Sequence, residues 1–407
     1  MMALASIAAV LAGLGVFQAL AGAWLSFRFS RAVESKPADR FAVTLLKPLH
    51  GDEPLLEQAL ASLCVQDIST YQIVFGVQSA SDPAIKVVKR LSERFPAVDI
   101  TLVIDPARHG INQKVGNLIN MLPAAKHDLL AIADSDLHVA PDYVRRLVAA
   151  LEPPGTGLAT VLYTGRPANR GIVGALGTLA ITHYFLPGAL LARGLGRQDC
   201  LGATMMLHRD TLRRIGGLEA LVGHLADDNA LGRLVQNLGL SVRLAGTVAA
   251  TTVPETCVGD LFRHELRWAR TVRALEPVAF LASSLQYPLI WAALALACSG
   301  GAIWAAAAFP MVWLLRWVAA ECVDRVMVPS VAPSEAGLAF RVPFWLLPLR
   351  ELMSTVVMIA SYGSDQVDWR GHSLQADGPV LHRSARPGFL TNRPAISLST
   401  PTLLQRD

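Results

Sequence analysis

The sequence predicts an α/β domain with a mostly parallel sheet, joined to apolar segments that are able to cross a membrane. Between residues 41 and 275, short apolar runs alternate with helical segments, which is typical of a parallel sheet covered by helices on both faces. Only 17% of the residues are charged, against roughly 25% in an average soluble domain. The longest apolar stretches lie before residue 28 and after residue 278, so we expect these two parts in lipid.

Four apolar runs are predicted to form buried strands, and the segments after them to form helices. The strands are FAVTLL, QIVFGV, DITLVI and DLLAIA, and the helices are EPLLEQALASLC, DPAIKVVKRLSERF, NQKVGNLINML and PDYVRRLVAAL. Strand-length runs alternating with segments of helical period support both assignments. Ligands of such sheets bind outside the carboxyl ends of the strands, so the residues after DLLAIA are candidates for a site.

The first 28 residues are predicted to form a membrane anchor. Met2 to Phe27 carries no charge and exceeds the roughly 20 residues that cross a hydrocarbon core. A cleavable signal peptide would have a basic start and a shorter apolar run. Four basic residues follow the anchor, namely Arg28, Arg31, Lys36 and Arg40, and this cluster predicts that the next domain faces the cytoplasm.

A second apolar block is predicted to add transmembrane or interfacial helices within residues 279–362. Ala279 to Gly301 and Ala302 to Ala320 are expected to form two helices with the Gly300-Gly301 pair between them. Arg316 is expected to reach the interface or to pair with another group. Gly337 to Tyr362 contains charged residues, and is expected to be an interfacial or broken helix.

One apolar segment inside the α/β region is not predicted to cross the membrane. Gly171 to Gly196 is apolar enough to span, but a single crossing there would place Asp134 and Asp228 on opposite sides of the bilayer. We therefore expect helices that lie in the interface and break near Pro187.

The stretch ADSD places Asp134 and Asp136 directly after a predicted strand. Side chains two residues apart in an extended segment point the same way, so both carboxylates can face one point. Such a pair suits Mg²⁺ or Mn²⁺, which in turn binds phosphate oxygens. The alternative is a solvated turn in which Asp136 caps the helix that begins near Pro141.

Two predicted helix starts carry further charged candidates. Lys114 in HGINQKVGNL follows a glycine loop, where helix N–H groups and an ammonium favour an anion; a solvated lysine is the alternative. Asp227 and Asp228 begin a helix in GHLADDNALGRL. One of them is able to cap that helix, and the other is able to serve as a general base.

RHELRWARTVR places arginines at helical spacing with His264 and Trp268 between them. One interpretation is a basic amphipathic helix that lies against anionic lipid headgroups. The other places Arg267 and His264 beside a leaving diphosphate, with Trp268 as a wall of the acceptor site. Both hold if the two functions use different faces of the helix.

The net charge and the cysteine content limit the possible partners and the cellular compartment of the protein. The formal net charge is only +4, and no basic run with interleaved aromatic residues occurs, so we expect no nucleic-acid partner. The five cysteines are odd in number and form no metal-ligand or redox motif, which favours a reducing compartment.

Seven segments occur in the order found in processive-type family 2 and family 21 glycosyltransferases: LLKPLHGDEP, VQSASDPAI, HGINQKVGNL, ADSD, GATMML, LADDNALG and HELRW. Over residues 10–375 the chain most resembles hopanoid-biosynthesis glycosyltransferases and the related ceramide glucosyltransferases. The resemblance implies a Rossmann-like GT-A domain at residues 41–275 in the cytoplasm, between the anchor at 1–28 and the helices at 279–362, with a polar tail at 363–407. It also implies an integral protein of a bacterial inner membrane.

The resemblance assigns the donor side of the site to four positions. Pro48 in LLKPLHGDEP, Lys114 and Asp134 match residues that contact the nucleotide sugar. The family's first nucleotide-binding aspartate falls in VQSASDP, where this chain has Ser79, and the nearest match is Asp82.

The resemblance assigns the reacting centre to the remaining matches. Asp134 and Asp136 correspond to the metal-binding pair for Mg²⁺ or Mn²⁺, and Asp228 corresponds to the catalytic base. The family's closing Gln/Arg-x-x-Arg-Trp motif appears as His264, Arg267 and Trp268, with a histidine in the first position.

The function implied is inverting transfer of a sugar from a UDP-sugar to the hydroxyl of a membrane lipid, with the bilayer as a partner. N-acetylglucosamine and a hopanoid polyol are favoured, and ceramide with UDP-glucose is the alternative. A processive polysaccharide synthase would need a transmembrane channel for the growing chain, and three or four helices form a poor channel. A non-catalytic membrane scaffold, with the aspartates as helix caps, is the alternative from another class.

Overall fold

The computed structural model describes residues 1–32, 41–327, 343–369 and 372–375. Lys36, Arg40, the beginning of the segment predicted from Gly337 and most of the predicted tail lie outside the described residues.

A sheet of eight strands forms the centre of the described chain. Its strands are β1 (Val43–Pro48), β2 (Tyr71–Val77), β3 (Asp99–Ile104), β4 (Leu129–Ala133), β5 (Leu137–His138), β6 (Thr156–Pro167), β7 (Thr204–His208) and β8 (Ser241–Val253). They lie in the order β3-β2-β1-β4-β7-β6-β8-β5. The neighbours among β1 to β4 are parallel, as are β6 and β8, whereas β7 runs antiparallel to β4 and β6, and β5 to β8. The predicted α/β class with a mostly parallel sheet is confirmed.

Helices cover both faces of this sheet. They are α2 (Leu56–Leu63), α3 (Ala84–Arg94), α4 (Gln113–Met121), α5 (Tyr143–Leu151), α8 (Arg209–Arg214) and α9 (Asp227–Asn237). The strand residues alternate between two buried clusters: Leu45 packs in the cluster with α2, α3 and α5, and Leu46 in the cluster with α4 and α9. Because both faces are buried, the central strands are mostly apolar, with Thr44, Lys47 and Gln72 as buried exceptions, and apolar runs of this kind predicted them.

Helix α1 (Met2–Ser30) has the surface of a membrane helix. Its large apolar side chains, such as Phe17 and Trp24, are exposed, while its buried positions are mostly small. A Cβ at Gly15 would lie 2.3 Å from the carbonyl oxygen of Leu285, and one at Gly22 would lie 2.7 Å from Pro187. Small residues at such positions allow close helix packing in lipid, so the large side chains are left to face the bilayer.

The segment from Gly171 to Gly196 forms α6 (Ile172–Ala180), a π-helical turn (Ile181–Phe185) and α7 (Leu186–Gly194). The predicted break near Pro187 is absent, because Pro187 lies in the first turn of α7, where a missing N–H is tolerated. A Cβ at Gly165 of β6 would lie 2.7 Å from Thr178 Cα, so α6 packs directly on the sheet. The strands on either side of this helical segment, β6 and β7, pair with each other.

The C-terminal block contains α10 (Val258–Leu275), α11 (Pro277–Ala282), α12 (Pro288–Cys298), α13 (Ile303–Met327) and α14 (Leu346–Ser361). The helix predicted from Ala279 to Gly301 is not continuous: the segments Pro277–Gln286 and Pro288–Cys298 are bent by 71°. Proline disfavours helical geometry in the residue before it, and Tyr287 accordingly has φ −112° and ψ 60°. The predicted turn at Gly300 and Gly301 is present, with φ +66° and +79°.

In the part of the chain that the structure describes, three helical segments are long and apolar enough to span a membrane: Met2–Ser30, Ile172–Gly194 and Ile303–Met327. The bent pair raises the number to four if it is counted as one span. Arg316 on α13 pairs as expected, with its Nε 3.4 Å from Glu351 Oε1 and its Nη2 donating to the His183 carbonyl at 3.0 Å. Two short strands, β9 (Gln366–Trp369) and β10 (His372–Gln375), form an antiparallel hairpin beyond α14.

Candidate active site

A cavity of about 470 Å³ opens at the carboxyl ends of β1, β4 and β8. Its volume is within the range of small-molecule sites. Eight of the nine predicted site residues line it: Pro48, Lys114, Asp134, Asp136, Asp228, His264, Arg267 and Trp268. The ninth, Asp82, does not.

Asp134 is held in place through its backbone and its side chain. Its N–H donates to the Ala203 carbonyl at 3.1 Å, and Lys47 Nζ donates to the Asp134 carbonyl from within β1. Its Oδ1 lies 2.7 Å from Lys114 Nζ. Burial lowers the pKa of Lys47 to about 8, although the carboxylates of Asp136 and Asp134 oppose this effect.

Asp136 faces the same cavity from the next turn of chain. Its Oδ2 accepts a hydrogen bond from the Thr251 hydroxyl, and its carbonyl accepts from the Thr252 N–H at 3.1 Å. Burial and the neighbouring Asp134 raise the pKa of Asp136 to about 6. The proposed alternative, that Asp136 caps α5, has no support in these contacts.

Lys114 lies in the first turn of α4, as predicted. Asn112 caps this helix, its side chain accepting from the Val115 N–H at 3.1 Å. Lys114 Nζ bridges the Asp134 and Asp227 carboxylates at 2.7 and 3.6 Å. Although burial disfavours its charge, these two carboxylates raise the pKa of Lys114, so the side chain is an ammonium ion and is not a solvated surface lysine.

Asp228 lies at the start of α9 beside Gly202. A Cβ at Gly202 would lie 2.6 Å from Asp228 Oδ2, so only glycine leaves room for this carboxylate. Asp228 Oδ1 accepts from the Asn229 N–H at 2.8 Å. Burial and the adjacent Asp227 raise the pKa of Asp228 to about 6, against the opposing effects of the Asn229 N–H and Lys114. A carboxylate with this pKa is ionised at neutral pH and still basic enough to accept a proton.

The helix α10 presents one face to the cavity. His264 Nδ1 hydrogen-bonds Glu255 Oε1, and the His264 and Trp268 rings meet edge to face at 4.3 Å between centroids. Arg267 also lines the cavity. Although burial opposes it, the hydrogen bond and charge of His264 lower the pKa of Glu255, which keeps this carboxylate ionised.

The other arginines of α10 bind protein groups. Arg263 pairs with Asp260, Arg270 Nη1 donates to the Gln366 carbonyl at 2.7 Å, and Arg273 pairs with Asp365. The face of α10 outside the cavity is therefore largely engaged by the segment at β9, and the interpretation that it lies against anionic headgroups stays a prediction.

Asp82 lies outside the cavity lining, and its carboxylate binds backbone N–H groups. Both of its carboxylate oxygens lie 3.1 Å from the Gly51 N–H, and Oδ1 accepts from the Ala84 N–H at 2.9 Å. The side chain therefore ties the start of α3 to the loop after β1. A contact between Asp82 and the nucleotide stays a prediction.

Sequence reasoning missed four charged residues in or beside the site: Lys47, Glu53, Glu255 and Glu265. Lys47 had a usable signal, because a lysine inside an otherwise apolar buried strand needs a partner. Glu53 and Glu255 had none, since each lies in a polar connection whose position relative to the cavity depends on the fold.

The cavity has a strongly acidic lining. Seven carboxylates line it, from Glu53, Asp134, Asp136, Asp227, Asp228, Glu255 and Glu265, against the permanent cations Lys114 and Arg267. Among the described residues, no group of three or more His, Cys, Asp and Glu side chains is arranged to hold a metal by itself. The pair Asp134 and Asp136 fits Mg²⁺ or Mn²⁺ when the remaining ligands are phosphate oxygens and water, which is how Mg²⁺ is usually bound.

Part of the cavity wall is apolar. It consists of Gly177, Ala180 and Ile181 on the α6 side and Leu261 and Trp268 on α10. A Cβ at Gly177 would lie 2.6 Å from Val253 Cγ1 and 3.1 Å from Leu261 Cδ1, so α6 and α10 meet closely here. One cavity thus joins an ionic half to an apolar half that borders the membrane helices.

Comparison with known proteins matches residues 5–378 to the model of glycosyl transferase family 21. Ceramide glucosyltransferase 3 of Caenorhabditis elegans is 25% identical over 251 residues, which cover 60% of this chain and 53% of that protein. An N-acetylglucosaminyltransferase of Rhizobium leguminosarum bv. viciae is 25% identical over 254 residues, covering 60% and 58%. The chain thus spans between half and three fifths of the length of these two relatives.

Two further comparisons are shorter or more distant. A ceramide glucosyltransferase of Komagataella phaffii is 35% identical over 113 residues, which cover 27% of this chain and 22% of that protein. Among solved structures, the mannosyltransferase PcManGT from Pyrobaculum calidifontis, in complex with GDP-Man and Mn²⁺, aligns with a TM-score of 0.48 at 18% identity, covering 88% of this chain and 99% of that one.

Proposed function

The chain belongs to glycosyl transferase family 21, and we propose that it transfers a sugar from a UDP-sugar to the hydroxyl of a membrane lipid with inversion at the anomeric carbon. The observation that carries this proposal is the meeting of Asp134, Asp136, Lys114 and Asp228 in one cavity whose other half is apolar. The ionic half suits a nucleotide sugar, and the apolar half suits the part of a lipid next to its headgroup.

Charge balance supports a metal-dependent donor site. A nucleoside diphosphate is anionic, and the cavity already holds seven carboxylates, so the donor needs added positive charge to enter. Asp134 and Asp136 would hold Mg²⁺ or Mn²⁺, which when bound neutralises the diphosphate and stabilises the charge that develops on it as it leaves. Lys114 and Arg267 contribute further positive charge on the same side.

Asp228 is proposed as the general base. It takes the proton of the acceptor hydroxyl, whose oxygen attacks the anomeric carbon from the face opposite the diphosphate. Its pKa of about 6 suits this step at neutral pH. A glycoside hydrolase would instead place two carboxylates on either side of the bond, and that arrangement gives no role to a lysine that bridges Asp134 and Asp227.

The finer identity of the substrates follows the relatives. N-acetylglucosamine as the sugar agrees with the name of the Rhizobium relative, and a hopanoid polyol is the acceptor we favour. Ceramide with UDP-glucose is the second candidate, supported by the relatives from Caenorhabditis elegans and Komagataella phaffii. We place the protein in a bacterial inner membrane with the cavity on the cytoplasmic side, because Arg28 and Arg31 follow the anchor.

The test is an incubation of the purified chain with UDP-sugars and lipid extracts that contain either hopanoids or ceramides, followed by mass spectrometry of the lipids. We expect one glycolipid product that requires Mg²⁺ or Mn²⁺ and that is lost in Asp228→Asn. Wild-type protein that forms no glycolipid from any combination would contradict the function, and an equally active Asp228→Asn would contradict the assignment of the base.

A further inference from the structure

Arg350 is a fully buried cation that the proposed reaction does not use. It lies on α14 with no exposed surface, outside the lining of the cavity. Its guanidinium forms a bidentate pair with Glu265, at 2.6 Å to each carboxylate oxygen. It also donates to Ser354 Oγ at 2.9 and 3.1 Å and to the Leu176 carbonyl at 3.1 Å.

The partners of Arg350 belong to the two helices that form the apolar wall of the cavity. Glu265 is on α10, next to His264 and one turn after Leu261, and it reaches the cavity itself. Leu176 is on α6, next to Gly177, where α6 approaches Leu261. One guanidinium therefore joins α6 to α10 from behind the wall that faces the acceptor half.

The helix α14 buries several polar side chains on its inner face, among apolar ones, and is apolar on its outer face. The inner side carries buried Arg350, Glu351, Ser354 and Ser361, and the outer side carries exposed Trp345, Leu349, Leu352, Val356 and Ile359. The exposed residues recur at intervals of three and four, so they form one stripe along the helix. Since a water-soluble helix would expose polar side chains and this one exposes an apolar stripe while it buries Arg350 and Glu351, the stripe suits lipid, and α14 links the bilayer to the wall of the cavity.

The bidentate pair between Arg350 and Glu265 fixes the distance between the helices that carry them. A planar guanidinium with two parallel bonds to a carboxylate fixes both distance and orientation, which an ammonium at the same position cannot do. The additional bond to a backbone carbonyl of α6 leaves little freedom for either helix to move independently of the other.

We propose that Arg350 is a positioning residue for the acceptor: by joining α6 to α10 it sets the width of the apolar half of the cavity, and with it the placement of the lipid next to Asp228. This inference rests on the proposed function. The donor half is bounded by β1, β4 and α4, none of which contacts Arg350 through the bonds described above, so the donor is not affected by this contact.

The test compares Arg350→Lys with a matched control, Arg316→Lys. Arg316 is also buried in the helical block and pairs with Glu351 and the His183 carbonyl, but neither partner belongs to α10. For Arg350→Lys we expect the acceptor KM to rise about tenfold or kcat to fall by a similar factor, while the Kd for UDP in the presence of Mn²⁺ stays within about twofold of wild type. The control is expected to keep the wild-type acceptor kinetics at a similar loss of thermal stability.

Amide hydrogen exchange gives a readout that does not depend on transfer. In Arg350→Lys the amides of α6 and α10 are expected to exchange faster together, and in Arg316→Lys those of α10 are expected to remain at the wild-type rate. If Arg350→Lys does not fold, the pair Arg350→Met with Glu265→Met serves instead, because it removes both charges and leaves neither buried without a partner.

Each outcome decides between the inferences. The positioning role alone is overturned if the wild-type protein transfers sugar and the Arg350 variant keeps the wild-type acceptor kinetics. It is also overturned if the variant binds UDP and the acceptor equally more weakly. Unchanged exchange in α6 and α10 overturns it as well. Wild-type protein that binds UDP but glycosylates no lipid overturns the proposed function, and the acceptor role of Arg350 with it.

Discussion

The pH dependence of transfer is predicted to reveal two carboxyl groups that titrate near pH 6. Asp228 must be ionised to accept the proton, and Asp136 must be ionised to hold the cation; the pKa of each is about 6. At about pH 5, a group with this pKa is only about one tenth ionised, whereas an ordinary aspartate stays more than about nine tenths ionised. If both groups are required, the rate at about pH 5 falls roughly a hundredfold below its value at neutral pH.

The two groups are separable by metal concentration. Protons compete with the cation at Asp136, so a higher concentration of Mn²⁺ is expected to move that part of the profile to lower pH. The part due to Asp228 does not depend on the metal. On the acid side, the logarithm of the rate plotted against pH is therefore expected to have a slope of about two at limiting Mn²⁺ and a slope of about one at saturating Mn²⁺ and donor.

Replacing the proposed base is expected to lower the transfer activity and to raise the stability of the fold. Asp228→Asn is expected to lower the transfer rate by about a thousandfold. Because folding raises the pKa of Asp228 from 3.8 to about 6, the folded state binds the proton more tightly, and stability falls as the pH rises through this window. Removing the charge is expected to increase the free energy of unfolding at neutral pH by about 1 kcal/mol, a value reduced because the side chain is partly exposed.

The assays are radiolabelled sugar transfer between about pH 4.5 and pH 8, with circular dichroism at each pH to show that the chain stays folded, and thermal melts of both proteins. The gain in melting temperature of Asp228→Asn is expected at neutral pH and to vanish near pH 4. A rate that is constant between about pH 5 and pH 7, or a lower melting temperature for the variant at neutral pH, would refute the environment assigned to Asp228.

The remaining predictions concern the metal, the donor, the space beside the base and the orientation. Chelation is expected to abolish transfer and added Mn²⁺ to restore it, while Asp136→Asn weakens Mn²⁺ binding by about tenfold or more; full activity after chelation contradicts the metal. Lys114→Ala is expected to weaken UDP binding more than it raises the acceptor KM, because the ammonium lies beside Asp134 in the proposed donor half; the opposite ranking in kinetics counts against this. Gly202→Ala is expected to lower kcat with little change in UDP affinity, since its Cβ would lie 2.6 Å from Asp228 Oδ2; wild-type turnover would show that Asp228 has room to move. A cysteine introduced at exposed Lys89 is expected to resist impermeant thiol reagents in intact cells, and rapid labelling there would reverse the orientation.

Much of the donor half of the site could be predicted because its residues follow local patterns. Asp134 and Asp136 come after an apolar run of strand length, and Lys114 and Asp228 come at the starts of helices with clear periodicity. Parallel strands bring such positions to one edge of the sheet whatever the details of packing. Asp82, which the family resemblance suggested as a nucleotide contact, is the one predicted residue outside the cavity lining, and its carboxylate binds the Gly51 and Ala84 N–H groups.

The acceptor half was much less accessible to sequence reasoning. Neither the π-helical turn before Leu186 nor the bend of 71° at Tyr287 follows from composition, because apolar residues satisfy a straight helix and a broken one equally well. The pairing of Arg350 with Glu265 joins residues 85 positions apart, and no local period marks it.

Periodicity and composition within a few neighbouring residues were enough to predict the α/β class, a first helix long and apolar enough to span a membrane, the order of the first strands and helices and the carboxylates at the end of β4. The pairing of the buried charges, such as Lys47 with Asp134 and Arg350 with Glu265, and the position of the apolar wall became visible only in the folded chain. The reason is physical: the energy of a buried charge depends on which groups long-range folding brings within hydrogen-bonding distance of it.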